Sequence, residues 1–435
     1  MVLLSNTRQI KVVLIQPPSN CVEDDRLEPP LGLLYIAAVL KKDTRLDVEL
    51  HDMSGHRTET EIDAAIEKIP EADAYGISVV CSTHKYAARI TKQARRLRPD
   101  AFIVAGGPNP SAVPERTLSD LDLDSVVVGE GEDVFYDLIL QKFSGSGVFK
   151  IVNGVGRLDI DTYPFPARDL VDMSTYTKKL NDSPSVPMLS SRGCPNHCVH
   201  CNSVVMGGGS KGARYRSIDN LLAEIKQIKP YTHIRFIDDN FTANPSIKEL
   251  LKAISRVGVT FRVFGRLDDL DEELCGLLRD AGCVHISVGL ESLNPDNLRV
   301  IGKAKLVGKY DNIQMIKNYG LTVRASFMVG LPYDTDDNIS YYFQQAAQLP
   351  FDEFEIYPLI PFPGTPLALH PEKFGYEITD SDFTDYVLVG KNRSTTFALT
   401  HKNFSTNQIK EWREKAGDLL KQGGKCYMRE SKLAR

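Results

Sequence analysis

The sequence has no excess of positive charge. Across 435 residues, 52 Lys and Arg stand against 57 Asp and Glu, a formal net charge of −5. Such a balance does not draw in a polyelectrolyte, so nucleic acid is not the expected partner. Long hydrophobic runs are missing too. The longest, Leu31–Leu40, falls far short of the ~20 apolar residues that a membrane-crossing helix needs. The start, Met1–Leu4, lacks the basic residues and apolar stretch of a secretory signal, and a cytoplasmic location is expected. Cysteine is scarce, with eight residues in the whole chain, which argues against a disulfide framework. Nor is the chain low in complexity or disordered: 42% of it is hydrophobic, with 31 Gly and 24 Pro.

A chain of this length fits two or three domains at ~150 residues each. From Ile10 to about Phe143, short β-rich runs (11–16, 47–51, 74–80, 102–105, 125–128) alternate with helical patterns (32–42, 59–69, 84–97 and a shorter one near 112–121). Near-continuous apolar strands separated by helices predict an α/β, doubly wound, Rossmann-like domain over residues 1–143. Residues 144–186 carry Pro164, Pro166 and Pro184 with little periodicity and read as a linker. Alternation then resumes over 187–374, with strands expected at 188–190, 234–238, 260–264, 284–289, 322–329 and 353–359. Six βα units predict a partial (β/α)6 barrel, whose chemistry sits at the strand C-termini. A short, mainly helical extension, 375–435, completes the chain and is expected to shape the substrate pocket. Its clearest helix is 406–422, and its aromatic residues Phe383, Tyr386 and Trp412 read as core more readily than as pocket lining.

Three of the eight cysteines fall within eight residues, in Cys194-Pro195-Asn196-His197-Cys198-Val199-His200-Cys201, just after the first barrel strand. Thiolates so spaced can wrap one metal centre, and soft thiolates select zinc, copper(I) or iron–sulfur clusters. A structural zinc takes a fourth ligand, which His197 or His200 would supply. A cubane on three cysteines instead leaves one iron open for chemistry. Cys275 and Cys283 lie in an apolar helix–strand unit and read as buried small hydrophobes, while Cys21, Cys81 and Cys426 have no partner spacing. Polar groups cluster at the ends of later strands: Asp238 and Asp239, Arg266, Glu291 and Ser292, and Arg324 with Gly330. Helix capping, ion pairing and turns compete as explanations for each.

The CxxxCxxC spacing with His200 before the last cysteine resembles the radical S-adenosylmethionine (SAM) superfamily. So do Phe236–Phe241, Arg262–Asp268, Ser287–Ser292 and Met328–Pro332. The resemblance implies a four-iron, four-sulfur ([4Fe-4S]) cluster on Cys194, Cys198 and Cys201. SAM would be bound at its open iron and cleaved reductively to a 5′-deoxyadenosyl radical that abstracts hydrogen from substrate. It assigns His200, Asp239, Arg266, Glu291, Ser292, Arg324 and Gly330 to cofactor binding.

The strand ends of the first domain carry Ser78, Gly106-Gly107 and Gly129-Glu130, where glycines allow a bulky ligand to approach the backbone. No GxGxxG follows the first strand, which disfavours a dinucleotide. Glu28–Gly32, Gly106-Gly107-Pro108, Val128–Glu132 and Tyr163–Ala167 resemble cobalamin-binding radical enzymes, which implies cobalamin contacts at Ser78, Gly106, Gly107, Gly129 and Glu130. The cobalt-ligating DxHxxG motif of some cobalamin domains is absent: Asp52 is followed by Met53 and Ser54, and His56 has the wrong spacing.

These resemblances together imply a radical SAM enzyme acting on a small biosynthetic molecule, most directly a cobalamin-dependent methyltransferase of an unactivated carbon. An electron donor such as flavodoxin or ferredoxin would serve it. The alternative is a cobalamin-independent dehydratase, epimerase, cyclase or rearrangement enzyme, in which Asp238, Glu355 or Tyr357 would handle protons. An RNA methylthiotransferase and a non-enzymatic zinc protein are further alternatives. The first lacks its extra cluster cysteines here and runs against the acidic net charge.

Overall fold

The computed structural model describes residues 8–19, 24–206, 212–379, 382, 383, 386 and 398–427. Cys21 lies outside them. The chain forms two compact units, the first running to Tyr176 and taking in Asp382, Phe383 and Tyr386, the second starting at Thr177.

In the first unit, strands and helices alternate: β1 (Ile10–Gln16), α1 (Leu31–Leu40), β2 (Leu46–Asp52), α2 (Glu59–Glu67), β3 (Ala74–Ser78) and α3 (His84–Leu97). Then come β4 (Phe102–Gly106), α4 (Pro108–Ala112), α5 (Pro114–Asp120), β5 (Ser125–Gly129), α6 (Glu132–Phe143) and β6 (Ile151–Gly154). The strands pair in parallel in the order β2-β1-β3-β4-β5-β6. Both faces are covered, as the apolar runs require. Val12 and Leu14 pack with Leu33, Ala37 and Phe135 on one side, and Val13 and Ile15 with Ile62, Tyr86 and Ile90 on the other. Helix α2 begins at a capping box in which the Thr58 hydroxyl accepts from Glu61 N and the Glu61 carboxylate accepts from Thr58 N.

The expected linker is only partly a linker. Its residues 151–154 form β6, the sixth strand, paired with β5. Two apolar residues, Ile151 and Val152, are too short a run to show alternation in the sequence. Part of the C-terminal extension also returns to this unit. Phe383 is buried, with the Arg116 guanidinium 4.0 Å from its ring centre and the His84 ring at 5.2 Å.

The second unit opens with the hairpin β7 (Lys179–Leu180) and β8 (Ser183–Pro184), then β9 (Val186–Met188), β10 (Ser191–Arg192), α7 (Ser203–Met206) and β11 (Arg214–Tyr215). It continues with α8 (Ile218–Gln227), β12 (His233–Phe236), α9 (Ile247–Ile254), β13 (Thr260–Gly265), α10 (Glu272–Asp280), β14 (Cys283–Glu291), α11 (Pro295–Val300) and α12 (Asn312–Asn318). The last elements are β15 (Thr322–Val329), α13 (Asp336–Gln348), β16 (Glu353–Pro358), α14 (Pro366–Leu369), β17 (Tyr376–Ile378), β18 (Leu399–His401), α15 (Thr406–Gln422) and β19 (Cys426–Tyr427). Its main sheet runs β19-β16-β15-β14-β13-β12-β9, and every pairing in it is parallel. The six expected strands are all present, and β19 adds a seventh at the β16 edge. Besides its long helix, the C-terminal extension contributes β19 and the β17–β18 ribbon.

Along β12–β16 one set of alternate side chains is apolar and faces helices, as Phe236, Phe261, Ile286, Val323 and Phe354 do. The other set is polar and faces inward: Arg235, Arg262, His285, Ser287, Arg324, Glu353, Glu355 and Tyr357. Cys275 and Cys283 are buried as expected.

Between α10 and β14, Gly282 has φ +96° and an added Cβ would lie 2.2 Å from the Val259 carbonyl oxygen. Gly282→Ala should therefore lower stability by about 2–4 kcal/mol, from left-handed strain plus the clash. A thermal melt reads this directly, and an unchanged midpoint would contradict the described turn.

Candidate active site

The cysteine loop hangs from the end of β9 and is fixed at its base before it reaches the thiols. Ser190 N donates to Asp238 Oδ1 at 3.0 Å, Ser190 Oγ donates to the same oxygen at 2.8 Å, and Ser191 Oγ donates to it as well. Asp238 is 1% exposed; burial pushes its carboxyl up, and the three serine donors oppose that. Its oxygens are occupied in tying β12 to the loop.

Strand β10 pairs antiparallel with β11, and Gly193 follows with φ +82° and Gly212 O only 3.0 Å from where its Cβ would sit. From there the loop runs against the α11 end. Val199 N donates to Ile301 O at 3.3 Å, and Gly302 leaves 3.3 Å and 3.5 Å between a would-be Cβ and His197 O and Cys198 Cα. Any side chain at Gly302 would push the loop away.

Cys194 and Cys201 are half-buried and Cys198 is buried, and none forms a disulfide. Cations attend the loop. Arg266 Nη1 is 3.9 Å from Cys198 Sγ; burial raises the Cys198 thiol, and the charges of Lys303 and Arg266 oppose that only in part. Three thiols beside two cations suit an anionic iron–sulfur centre. Arg266 is itself oriented by Asp268, at 3.1 and 2.9 Å.

Beside the loop, Glu291 adopts φ +60°, and Lys303 Nζ donates to its Oε1 at 2.6 Å and to Gly289 O at 2.9 Å. Burial raises the Glu291 carboxyl, but Lys303 chiefly, with Arg266, outweighs it and holds the group ionised. The His200 ring is driven down to about 4 by burial, so it is neutral, and its Nδ1 has no partner. Lys303 was not legible in the sequence; an Ile-Gly-Lys step after a helix was its only trace. Asp239 is exposed beside Ser203, two residues after the last cysteine. The Ser292 hydroxyl accepts from Asn294 N at 3.0 Å and shapes the turn after β14.

Two further residues expected at the cofactor have protein partners. Arg324 is near the start of β15, five residues before its end, and donates to Glu353 Oε2 from Nε at 2.9 Å and Nη2 at 2.6 Å. Gly330 (φ +82°) packs on Ile409 of α15, and its carbonyl accepts from Tyr376 at 2.6 Å. Its role is a turn. Glu355 and Tyr357 are adjacent on the inward face of β16, and the Tyr357 hydroxyl donates to Glu355.

In the first unit the strand order reverses between β1 and β3, which places a ligand crevice at their C-terminal ends. Ser78 ends β3 there, in register with Gly106. Gly107 (φ +108°) would bring a Cβ 2.9 Å from Val79 O, and Gly129 (φ +90°) 2.7 Å from Gly154 O, so these glycines also serve strand packing. The Glu130 side chain folds against Gly156. After β1, the buried Ser19 hydroxyl has no partner among the described residues. His84 has both ring nitrogens engaged, by Asn109 at 2.8 Å and Asp120 at 3.2 Å. His56 holds Met53 O at 2.8 Å.

Residues 188–345 match the family model of the radical SAM superfamily, and residues 22–139 match that of the B12 binding domain. The chain is a radical SAM enzyme with a B12 binding domain. It is 29% identical over 385 residues to an uncharacterized methyltransferase of Pyrococcus horikoshii, covering 82% of each chain. It is 28% identical over 377 residues to bacteriochlorophyllide d C-12(1)-methyltransferase of Chlorobaculum tepidum, covering 82% of this chain and 77% of that one. Among solved structures, the radical SAM methyltransferase TsrM of Kitasatospora setae superposes with a TM-score of 0.69 at 16% identity, over 95% of this chain and 89% of that one. The radical SAM enzyme and its cofactors, a [4Fe-4S] cluster, SAM and cobalamin, agree with the site: three thiols, two cations and an ionised Glu291 in the second unit, and a switch-point crevice in the first.

Removing the Asp238 carboxylate leaves buried serine donors unpaired, so Asp238→Ala should cost the loop about 3 kcal/mol. Iron and sulfide per chain after anaerobic reconstitution should fall sharply in Asp238→Ala and vanish in Cys198→Ala. Full iron content in Asp238→Ala would show that the serine clamp does not support the loop.

Proposed function

We propose that the enzyme is a cobalamin-dependent radical methyltransferase of a small molecule, with an unactivated carbon as the acceptor. The observation that carries the reading is the loop of Cys194, Cys198 and Cys201, with Arg266 and Lys303 beside it, in a chain whose other unit matches the B12 binding domain. When bound, the cluster and SAM supply a carbon-centred radical, and cobalamin supplies the methyl group.

The protein's own residues do the rest. Cys194, Cys198 and Cys201 hold the cluster, and Arg266 and Lys303 offset its negative charge. The ionised Glu291, held by Lys303, takes the cationic or ribose end of SAM, with His200, Asp239 and Ser292 around it. Ser78, Gly106, Gly107, Gly129 and Glu130, together with the Ser19 hydroxyl, border the corrinoid. The sequence has no DxHxxG histidine that would ligate cobalt. The inward-facing pair of Glu355 and Tyr357 offers a hydroxyl for proton transfer at Tyr357 Oη; burial and the neighbouring carboxylate hold that phenol well above its ordinary range, so it stays protonated. No helix among the described residues is long and apolar enough to cross a membrane. We place the enzyme in the cytoplasm, where flavodoxin or ferredoxin supplies the electron.

Anaerobic reconstitution with iron, sulfide and hydroxocobalamin, then gel filtration, should give a corrinoid spectrum that co-elutes with the protein. With methyl-labelled SAM and a reductant, label should reach the bound corrinoid. A protein that binds a cluster and cleaves SAM but retains no corrinoid would instead be a dehydratase, epimerase, cyclase or rearrangement enzyme.

A further inference from the structure

The inward face of the second unit carries a row of charge away from the cysteine loop's own cations, Arg266 and Lys303. Arg235, Arg262 and His285 lie side by side in the register of β12, β13 and β14, and Ser287 pairs with Arg324, which pairs with Glu353. One carboxylate does much of the neutralising: Glu353 Oε2 accepts from Arg324 at 2.9 and 2.6 Å and faces His285 Nε2 at 3.4 Å. The His285 ring, pushed down to about 4 by burial, is neutral and adds no charge. Arg262 is different. It is 7% exposed, forms no ion pair or hydrogen bond among the described residues, and lies over the Phe264 ring, 4.7 Å from its guanidinium carbon to the ring centre.

A buried unpaired guanidinium is costly, and burial together with Arg324 pushes its pKa down to about 10. Lys178, at the start of the β7–β8 hairpin, brings a further cation near Arg262 and Arg324, with Glu353 and Glu355 as the carboxylates nearby. Cations therefore outnumber carboxylates here. Three buried polar atoms on neighbouring strands are unpartnered: Arg262 Nε, His285 Nδ1 and Ser287 Oγ. Arg262 Nε and Ser287 Oγ are donors without acceptors among the described residues, whereas His285 Nδ1, in a neutral ring whose Nε2–H faces Glu353, is an acceptor; the two donors, in a positive setting, define what would complete them.

We propose that this face holds the substrate by an oxyanion, a carboxylate or phosphoryl group, received by Arg262 with Lys178 and the Ser287 hydroxyl. The inference rests on the methyltransferase reading and narrows its substrate class to anionic molecules. Fixing the anion among the inward side chains leaves the remainder of the substrate to extend along the strands toward their C-terminal ends, where Glu291 and the cysteine loop lie. The Arg324–Glu353–His285 group is the support beneath, fixing the strands that present Arg262.

The test uses the reconstituted enzyme loaded with cluster, SAM and cobalamin, without reductant, titrated calorimetrically with benzoate, phenylphosphonate and neutral benzamide. One anion or both should bind saturably and benzamide should not; which anion binds tells carboxylate from phosphoryl. Arg262→Gln should weaken the anion at least about tenfold, as loss of a charge-assisted pair does. Lys178→Gln, in a half-buried hairpin, should weaken it by a smaller factor. The exposed Arg279→Gln should leave it unchanged. Near-ultraviolet dichroism and cluster absorbance establish that each variant is folded, and Lys178→Gln carries the comparison if Arg262→Gln is not. No anion binding, equal binding of benzamide, or wild-type affinity in the folded variants overturns the proposal. Label transfer from methyl-labelled SAM to corrinoid is measured on the same wild-type preparation. Transfer without anion binding sinks the oxyanion site alone, and anion binding without transfer sinks the methyltransferase reading alone.

Discussion

The alternation along β12–β16, interrupted on the inward face only by residues such as Phe264 and Met328, is the constraint from which the second unit follows. Apolar side chains face the helices and polar ones face inward, so the sheet covers its outer face with core and lines its inner face with charge. A shift of one residue in any strand would bury charges against helices, and this fixes the register more firmly than the hydrogen bonds do. The cost is desolvation of Arg235, Arg262, Arg324 and Glu353, offset in part by Glu353 serving two partners. Arrays like this are not the most stable way to fill a barrel. Their presence marks a face kept for polar contents.

The cysteine loop shows the same division between groups that carry chemistry and groups that place them. The thiols occupy three positions, but their location is set by residues of other kinds: Asp238 through two serines, Gly193 through a left-handed turn, and Gly302 through the absence of a side chain. Asp238 resembles a catalytic acid in sequence because it ends a barrel strand. In the structure it is a buried acceptor with its hydrogen bonds filled.

The strands were legible because period-two and buried-run patterns survive in single segments: all five strands expected in the first unit and all six in the second are there. The misses share a cause. Strands β6 and β19 have too few residues to show alternation, and they exist because an exposed sheet edge is available to pair with. Phe383 belongs with the first unit although it lies far along the chain, a long-range fact that no local pattern encodes. At the site, the cysteines were legible from spacing alone, and Glu291 from its motif. Lys303 was not, because one buried lysine leaves no periodic mark. Nor was the place of Arg324 near the start of β15, because a motif counts residues and does not say how far along a strand a side chain projects.

Glu291 gathers these threads. Pairing of β14 with β15 is regular through Gly289 and Ser326, then slips so that Glu291 faces Phe327, which leaves Leu290 as the extra residue of a bulge. Bulges are uncommon in parallel pairs and re-aim the side chain that follows. Glu291 also sits at φ +60°, a conformation that costs a non-glycine residue about 1–3 kcal/mol. Had packing been the only demand, a glycine would have relieved the strain, and Gly289 shows that the strand admits one. The carboxylate is held instead, by a buried lysine and beside a neutral histidine whose Nδ1 has no partner. The strand gives up regular pairing and relaxed backbone together at one residue, and that residue presents an ionised group beside the cysteine loop.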